Sequence, residues 1–179
     1  MKKQVILITG GCRSGKSAHA LELARRYSGG ERFFLATCVA EDDEMRDRVA
    51  RHQKERGRGF VPVECPVHLD REISRAGRTA SVILVDCLTL WTSNLMLAEG
   101  FSLQSAEDAV QSLETAMIQA PCSVILVTNE VGCGIVPENR PAREFRDLVG
   151  MVNRRVAAVA DSVVWMVAGI PVVIKGKSS

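Results

Sequence analysis

The sequence predicts an α/β domain with a mostly parallel central sheet, flanked by helices and ending in an antiparallel C-terminal hairpin. Three observations carry that reading. Short apolar, β-branched runs recur at 5–8, 33–36, 82–85, 124–127, 163–167 and 172–174, as buried strands do. Longer stretches with helical spacing lie between the earlier runs, the alternation expected when helices cross over between parallel strands. The last two runs are separated only by Ala168-Gly169-Ile170-Pro171, too short for a crossover, so they pair as a hairpin at one edge.

Taken in order, the run at 5–8 follows Met1-Lys2-Lys3-Gln4. A basic start followed by an apolar run resembles a leader. Only four apolar residues precede Thr9-Gly10-Gly11, and no cleavage site follows, so a first strand is the simpler reading. Helices are expected over 17–27, 42–56, 88–98, 103–119 and 141–160. Ala20, Leu21 and Ala24 line one side of the first. Ser102 is placed to cap the fourth, and Pro141 suits the first turn of the fifth. No Pro/Gly/Ser-rich linker and no internal repeat divides the chain, so 1–179 reads as one domain.

Composition removes several classes of function. With 179 residues there is room for one substantial core, not for two separate catalytic domains. Hydrophobic residues at 46% and charged residues at 25% are those of a globular chain, not a disordered one. Aromatics are only 4%, Tyr27 being the sole tyrosine, and 23 basic against 21 acidic side chains leave a formal charge of +2. Neither a stacking platform nor a polyanion-attracting field is present, so no nucleic-acid partner is expected. No apolar run approaches the ~20 residues of a membrane span. Six cysteines at 12, 38, 65, 87, 122 and 133 are spread singly, without C-x-x-C or zinc spacing. They read as reduced thiols of a cytoplasmic protein, most of them in the core.

Gly10-Gly11-Cys12-Arg13-Ser14-Gly15-Lys16-Ser17 follows the first strand and opens a helix, satisfying G-x-x-x-x-G-K-[ST] in the context that gives it meaning. Glycines let the backbone curl so that successive N–H groups face phosphate oxygens, and the helix adds its positive end. Lys16 can reach the β- and γ-phosphates, and the Ser17 hydroxyl can bind Mg²⁺. Asp86 ends the run Ser81-Val82-Ile83-Leu84-Val85, where a P-loop protein places an acid in the metal's shell; the alternative is a helix cap for the segment starting near Leu88.

Two further segments stand out. Residues 41–56 begin acidic and end basic, matching a helix macrodipole. Met45, Val49 and His52 fall at i, i+4 and i+7, so His52 shares the apolar stripe, with Arg51, Lys54 and Arg56 nearby to neutralise phosphates. Spacing alone leaves a packed histidine and a catalytic one both open. After the run at 124–127 come Thr128-Asn129-Glu130-Val131-Gly132-Cys133-Gly134-Ile135-Val136-Pro137-Glu138-Asn139-Arg140, a shaped loop at the strand end where ligands bind, or a tight crossover. His19, in the P-loop helix, and His68, before Leu69-Asp70, read as packing and helix-entry residues.

These motifs together are specific. The P-loop, Arg51-His52 with Arg56, Asp86-Cys87-Leu88-Thr89, Asn129-Glu130-Val131-Gly132-x-Gly134-Ile135-Val136-Pro137-Glu138 and Arg143-x-Phe145-Arg146-Asp147-x-x-Gly150-x-x-Asn153 closely resemble the bifunctional adenosylcobinamide kinase/adenosylcobinamide-phosphate guanylyltransferases of cobalamin biosynthesis. The resemblance implies a RecA-like P-loop domain. It implies that adenosylcobinamide is phosphorylated with ATP or GTP, and that GMP is then transferred from GTP to adenosylcobinamide phosphate through a guanylyl-histidine. The matching histidine is His52. Carried over residue by residue, the nucleotide contacts are Gly10, Gly11, Cys12, Arg13, Ser14, Gly15, Lys16 and Ser17, then Ala36, Thr37 and Cys38, then Gln53, Lys54, Glu55 and Arg56, with Glu64 and Asp86. Mg²⁺ falls to Ser17 and Asp86. The resemblance also implies a homo-oligomer, a trimer. Cys12 replaces a common alanine, Gly57 a common proline, and Arg51 a second histidine found in some relatives.

Overall fold

A computed structural model of the chain describes residues 2–39 and 59–176. The expected helix over 42–56, and with it His52, Gln53, Lys54, Glu55 and Arg56, lies outside the described residues. In chain order the elements are β1 (Val5–Gly10), α1 (Lys16–Arg25), β2 (Glu31–Ala36), β3 (Val61–Glu64), α2 (Leu69–Ala76), β4 (Ala80–Asp86), α3 (Leu88–Leu97), α4 (Leu103–Gln119), β5 (Ser123–Val127), α5 (Arg140–Val159), β6 (Ser162–Val167) and β7 (Ile170–Lys175).

The seven strands form one sheet in the order β3-β2-β4-β5-β1-β6-β7. Every neighbouring pair is parallel except β6 with β7, as the short last connection requires. That connection is Ala168-Gly169, with φ of 51° and 83°, the left-handed pair that matches the twist of a two-residue hairpin turn. The two faces of the sheet bury different sets. Val5, Leu7, Ile83, Val85, Val124, Leu126 and Val163 pack toward the side of α2 to α5. Ile6, Ile8, Leu84, Ile125, Val127, Val164 and Met166 pack with Ala20, Leu21 and Ala24 of α1. Strands buried on both faces are the reason these segments read as continuous apolar runs.

Two elements escaped the periodicity reading. β3 is a four-residue edge strand, Val-Pro-Val-Glu, and mostly exposed; Pro62 is tolerated there because an edge strand has one unpaired side. α2 has eight residues and buries Leu69, Ile73 and Ala76, an i, i+4, i+7 stripe too short to outweigh its charged neighbours. His68 is its N-cap and makes no side-chain capping bond, in keeping with a helix-entry role. The capping signals hold. The Ser102 hydroxyl accepts from Ser105 N–H at 3.0 Å while the Ser105 hydroxyl accepts from Ser102 N–H at 3.0 Å, and Pro141 sits in the first turn of α5. Among the cysteines the core expectation is half met: Cys65, Cys87 and Cys122 are buried, Cys38 is intermediate, and Cys12 and Cys133 are exposed. The last two lie in the loops after β1 and β5, where the neighbouring residues are also largely exposed. Among the described residues no helix is long and apolar enough to cross a membrane.

Candidate active site

All the described candidate residues gather at the C-terminal edge of the sheet, and the register explains how. Glu64 pairs with Ala36, Ala36 with Asp86, Asp86 with Val127, and Val127 with Ile8. Side chains in register across a parallel sheet share a face, and neighbouring strands lie ~4.8 Å apart. Ile8, Val127 and Ala36 belong to the α1 side. Glu64 and Asp86 therefore face the side on which α1 begins, in a row that ends beneath the P-loop. Sequence distance hides this completely; topology brings it about, because β5 inserts between β1 and β4.

The P-loop leaves β1 at Gly10 and enters α1 at Lys16. Gly15 is the N-cap, at φ 91°, and Arg13 sits at φ 54°, so the loop curls twice through left-handed backbone. Ser14 and Lys16 are buried, while Gly11, Cys12 and Arg13 line the exposed rim and Ser17 is half-buried. The Lys16 ammonium donates to the Gly11 carbonyl at 2.5 Å and to Ser14 Oγ at 3.4 Å, which holds it across the loop. The hairpin turn braces the other side: Gly169 N–H donates to the Ser14 carbonyl at 3.1 Å. Gly10 is packed against the same hairpin. A Cβ there would stand 2.5 Å from Met166 O and 2.8 Å from Ser14 Oγ, at φ +154°. Gly10→Ala is expected to destabilise the fold by about 3 kcal/mol and to loosen nucleotide binding, measured by denaturant unfolding with and without GTP.

Thr37, one residue beyond β2, is fully buried. Its hydroxyl donates to the Cys87 carbonyl at 2.8 Å and accepts from Cys87 N–H at 2.7 Å, while Asn94 Nδ2 donates to the Thr37 carbonyl at 2.8 Å. Thr37 thus clamps the end of β2 to the end of β4, fixing Asp86. The peptide between Asp86 and Cys87 is cis. The N-cap of α3 is Cys87, not Asp86, so the capping alternative for Asp86 does not describe this fold. Cys38 is half-buried beside Thr37.

The residues that make the sequence specific build the frame of the loop after β5. Asn129 N–H donates to Thr89 Oγ1 at 2.7 Å, Thr128 Oγ1 to Asn153 Oδ1 at 2.7 Å, and Asn153 Nδ2 to the Asn129 carbonyl at 3.1 Å. Thr89 and Thr128 are both buried, their hydroxyls 3.3 Å apart. Arg146 Nη2 donates to the Gly132 carbonyl at 2.7 Å, and Arg143 Nη1 to the Pro137 and Glu138 carbonyls at 3.0 and 2.5 Å. Glu130 N–H donates to the Gly10 carbonyl at 3.1 Å, tying this loop to the P-loop. Such a network holds a loop that must carry function on a rigid base. Single-residue reasoning misses it, because Thr89 and Asn153 show no chemistry until the fold places them together.

Thiol chemistry should follow exposure. Burial pushes the Cys65 and Cys87 thiols up to about 11, and burial also raises Cys122. Near neutral pH an alkylating reagent is expected to modify Cys12 and Cys133 in the native protein and the buried three only after unfolding. Bound GTP should protect Cys12 and leave Cys133 reactive; peptide mapping of the labelled protein checks both statements.

The donor set at the sheet edge fits a hard divalent cation. Asp86 and Ser17 offer oxygen, and among the described residues no group of three or more His, Cys, Asp or Glu could hold a metal alone. A Mg²⁺ ion that completes its shell from nucleotide phosphates and water suits so sparse a set.

Comparison with known proteins bears on the chain as a whole. A family model described as cobinamide kinase / cobinamide phosphate guanyltransferase matches residues 6–174. The chain is 42% identical to the bifunctional adenosylcobalamin biosynthesis protein CobU of Salmonella typhimurium, an alignment covering 96% of this chain and 99% of that protein. It is 36% identical to the bifunctional adenosylcobalamin biosynthesis protein CobP of Pseudomonas aeruginosa, over 96% of this chain and 97% of that protein. Among solved structures, the flagellar accessory protein FlaH of Methanocaldococcus jannaschii superposes with a TM-score of 0.52 at 13% identity, covering 97% of this chain and 79% of its own. A solved ATPase domain superposes with a TM-score of 0.51 at 11% identity, covering 91% of this chain and 69% of its own. These two likenesses concern the fold, which is RecA-like.

Proposed function

The chain belongs to the cobinamide kinase/cobinamide phosphate guanyltransferase family, and from that premise we propose that one phosphate cradle serves both of the family's reactions. The enzyme phosphorylates cobinamide and transfers GMP to the product, in adenosylcobalamin biosynthesis. The observation that carries the single-cradle reading is the convergence of the P-loop, Glu64 and Asp86 on one edge and one face of the sheet. Among the described residues, no second glycine-rich phosphate loop of this kind follows another strand.

In the first reaction the nucleotide's terminal phosphates lie in the N–H groups from Gly11 to Ser17. The acceptor hydroxyl on the aminopropanol arm of adenosylcobinamide attacks the γ-phosphorus, and the nucleoside diphosphate leaves. Lys16 exchanges its bond to the Gly11 carbonyl for phosphate oxygens and stabilises charge that grows during transfer. Thr37 takes part by fixing the strand ends, its own hydroxyl being engaged. Mg²⁺ held by Ser17 and Asp86 would supply further charge neutralisation.

In the second reaction the cradle holds GTP so that its α-phosphorus meets His52. A neutral imidazole is a competent nucleophile near neutral pH. Its ring nitrogen forms a bond to phosphorus as the bond to pyrophosphate breaks, with Lys16 and Arg13 beside the leaving group. An oxygen of adenosylcobinamide phosphate then attacks the phosphoramidate, releasing His52 and giving adenosylcobinamide-GDP. Glu64, Ala36, Cys38 and Gln53 to Arg56 complete the guanylyl site in this reading.

One domain does all of this, as a homo-oligomer in the cytoplasm without a nucleic-acid partner. The single spacing of the six cysteines and the small net charge support the last two points. The test is a mixture of the protein, adenosylcobinamide, GTP and Mg²⁺ followed by chromatography. The corrinoid phosphate should form first and the GDP derivative with pyrophosphate second; folded, nucleotide-binding protein that yields neither would contradict the proposal.

A further inference from the structure

We infer that the outward face of the C-terminal hairpin is the surface on which the corrin macrocycle of the acceptor docks. The inference rests on the family's activity toward cobinamide and names where that substrate lies. Register pairs Trp165 with Val172 and Val167 with Ile170, so these four side chains share one face. Trp165, Val172, Val167 and Ile170 are 45, 42, 41 and 64% exposed respectively. The opposite face of the same hairpin, with Val164 and Met166, is buried against the α1 side. A continuous apolar face of this kind at a sheet edge marks a binding surface.

Its position selects the occupant. The turn joining the two strands touches the P-loop through Gly169 N–H and the Ser14 carbonyl at 3.1 Å. Trp165 lies four residues from Gly169, roughly 13 Å at the ~3.3 Å rise of a strand. A macrocycle seated on Trp165, Val167, Ile170 and Val172 can therefore extend one flexible arm to the phosphates, which both transfers demand. The α1 side of the sheet carries Asp86 on β4 and Glu64 on β3, away from the hairpin, and suits nucleotide and cation, not an apolar ring.

The chemistry of the ligand matches. A corrin presents methyl groups and ring edges, rimmed by amides that seek donors. Thr9 is the register neighbour of Trp165 on the same face, and its hydroxyl is sheltered from water with no partner among the described residues. An unpaired hydroxyl beside an apolar face is the kind of polar complement that an amide-rimmed ring requires.

The test uses Ile170→Asp and Val172→Ser, at exposed positions, with Trp165→Ala compared against Trp165→Phe. Calorimetric titration with adenosylcobinamide is expected to show a Kd raised about tenfold or more for the first three and largely restored in W165F, while GTP affinity stays within about twofold. In the kinase assay the loss should appear in KM for the corrinoid and not in kcat. Unchanged corrinoid affinity in folded, GTP-binding variants would overturn the proposal. A loss of affinity accompanied by a smaller particle mass in light scattering would also overturn it, assigning the face to contact between copies of the chain. Wild-type protein that binds no corrinoid at all would count against the function itself, a result distinguishable from either.

Discussion

Replacing Lys16 by alanine is expected to lower kcat/KM for both transfers by about 10²–10³-fold. Lys16 is buried at the first position of α1, its ammonium bonded to the Gly11 carbonyl at 2.5 Å. No other cation is built into the loop at that depth, since Arg13 lies on the exposed rim. Alanine at the first turn keeps the helix, because it is the best helix former, so loss of activity will not reflect loss of fold. Arginine should not rescue: its planar guanidinium is bulkier than the ammonium the buried slot accepts. Phosphate transfer to the corrinoid and pyrophosphate release from GTP are measured separately. A variant impaired in one and normal in the other would show that the two reactions use different cradles.

His52→Ala is expected to do the opposite, separating the reactions. Guanylyl transfer should fall by about 10³-fold or more, the scale on which removing a covalent nucleophile acts. Phosphorylation of cobinamide should continue, because His52 has no part in displacement at the γ-phosphorus. The corrinoid phosphate would then accumulate as a dead-end product, visible by chromatography. Equal loss of both activities would place His52 in binding or folding instead of in chemistry.

Much of the fold was legible because its strands are buried on both faces. The runs at 82–85 and 124–127 became β4 and β5, and the four residues between the last two runs forced the hairpin. β3 was not legible, since an exposed edge strand containing Pro62 needs no apolar run. α2 hid its stripe of Leu69, Ile73 and Ala76 among charges. At the site, the P-loop was evident from motif and context. The row of Glu64, Ala36 and Asp86 was not, because it depends on strand order. Thr37 illustrates the difference between position and role: the sequence resemblance put it among nucleotide contacts, and the fold buries its hydroxyl against Cys87. Thr89, Thr128 and Asn153 form their network only after three separate segments meet.

The central claim, that one cradle presents GTP to His52 as well as to the corrinoid hydroxyl, is tested most directly by intact-mass measurement. The protein is incubated with GTP and Mg²⁺ in the absence of corrinoid. A covalent GMP adduct is expected, labile to acid and stable to alkali as a phosphoramidate is, absent from His52→Ala and strongly reduced in Lys16→Ala. Folded protein with GTP bound and no adduct, or an adduct that survives in His52→Ala, would contradict it.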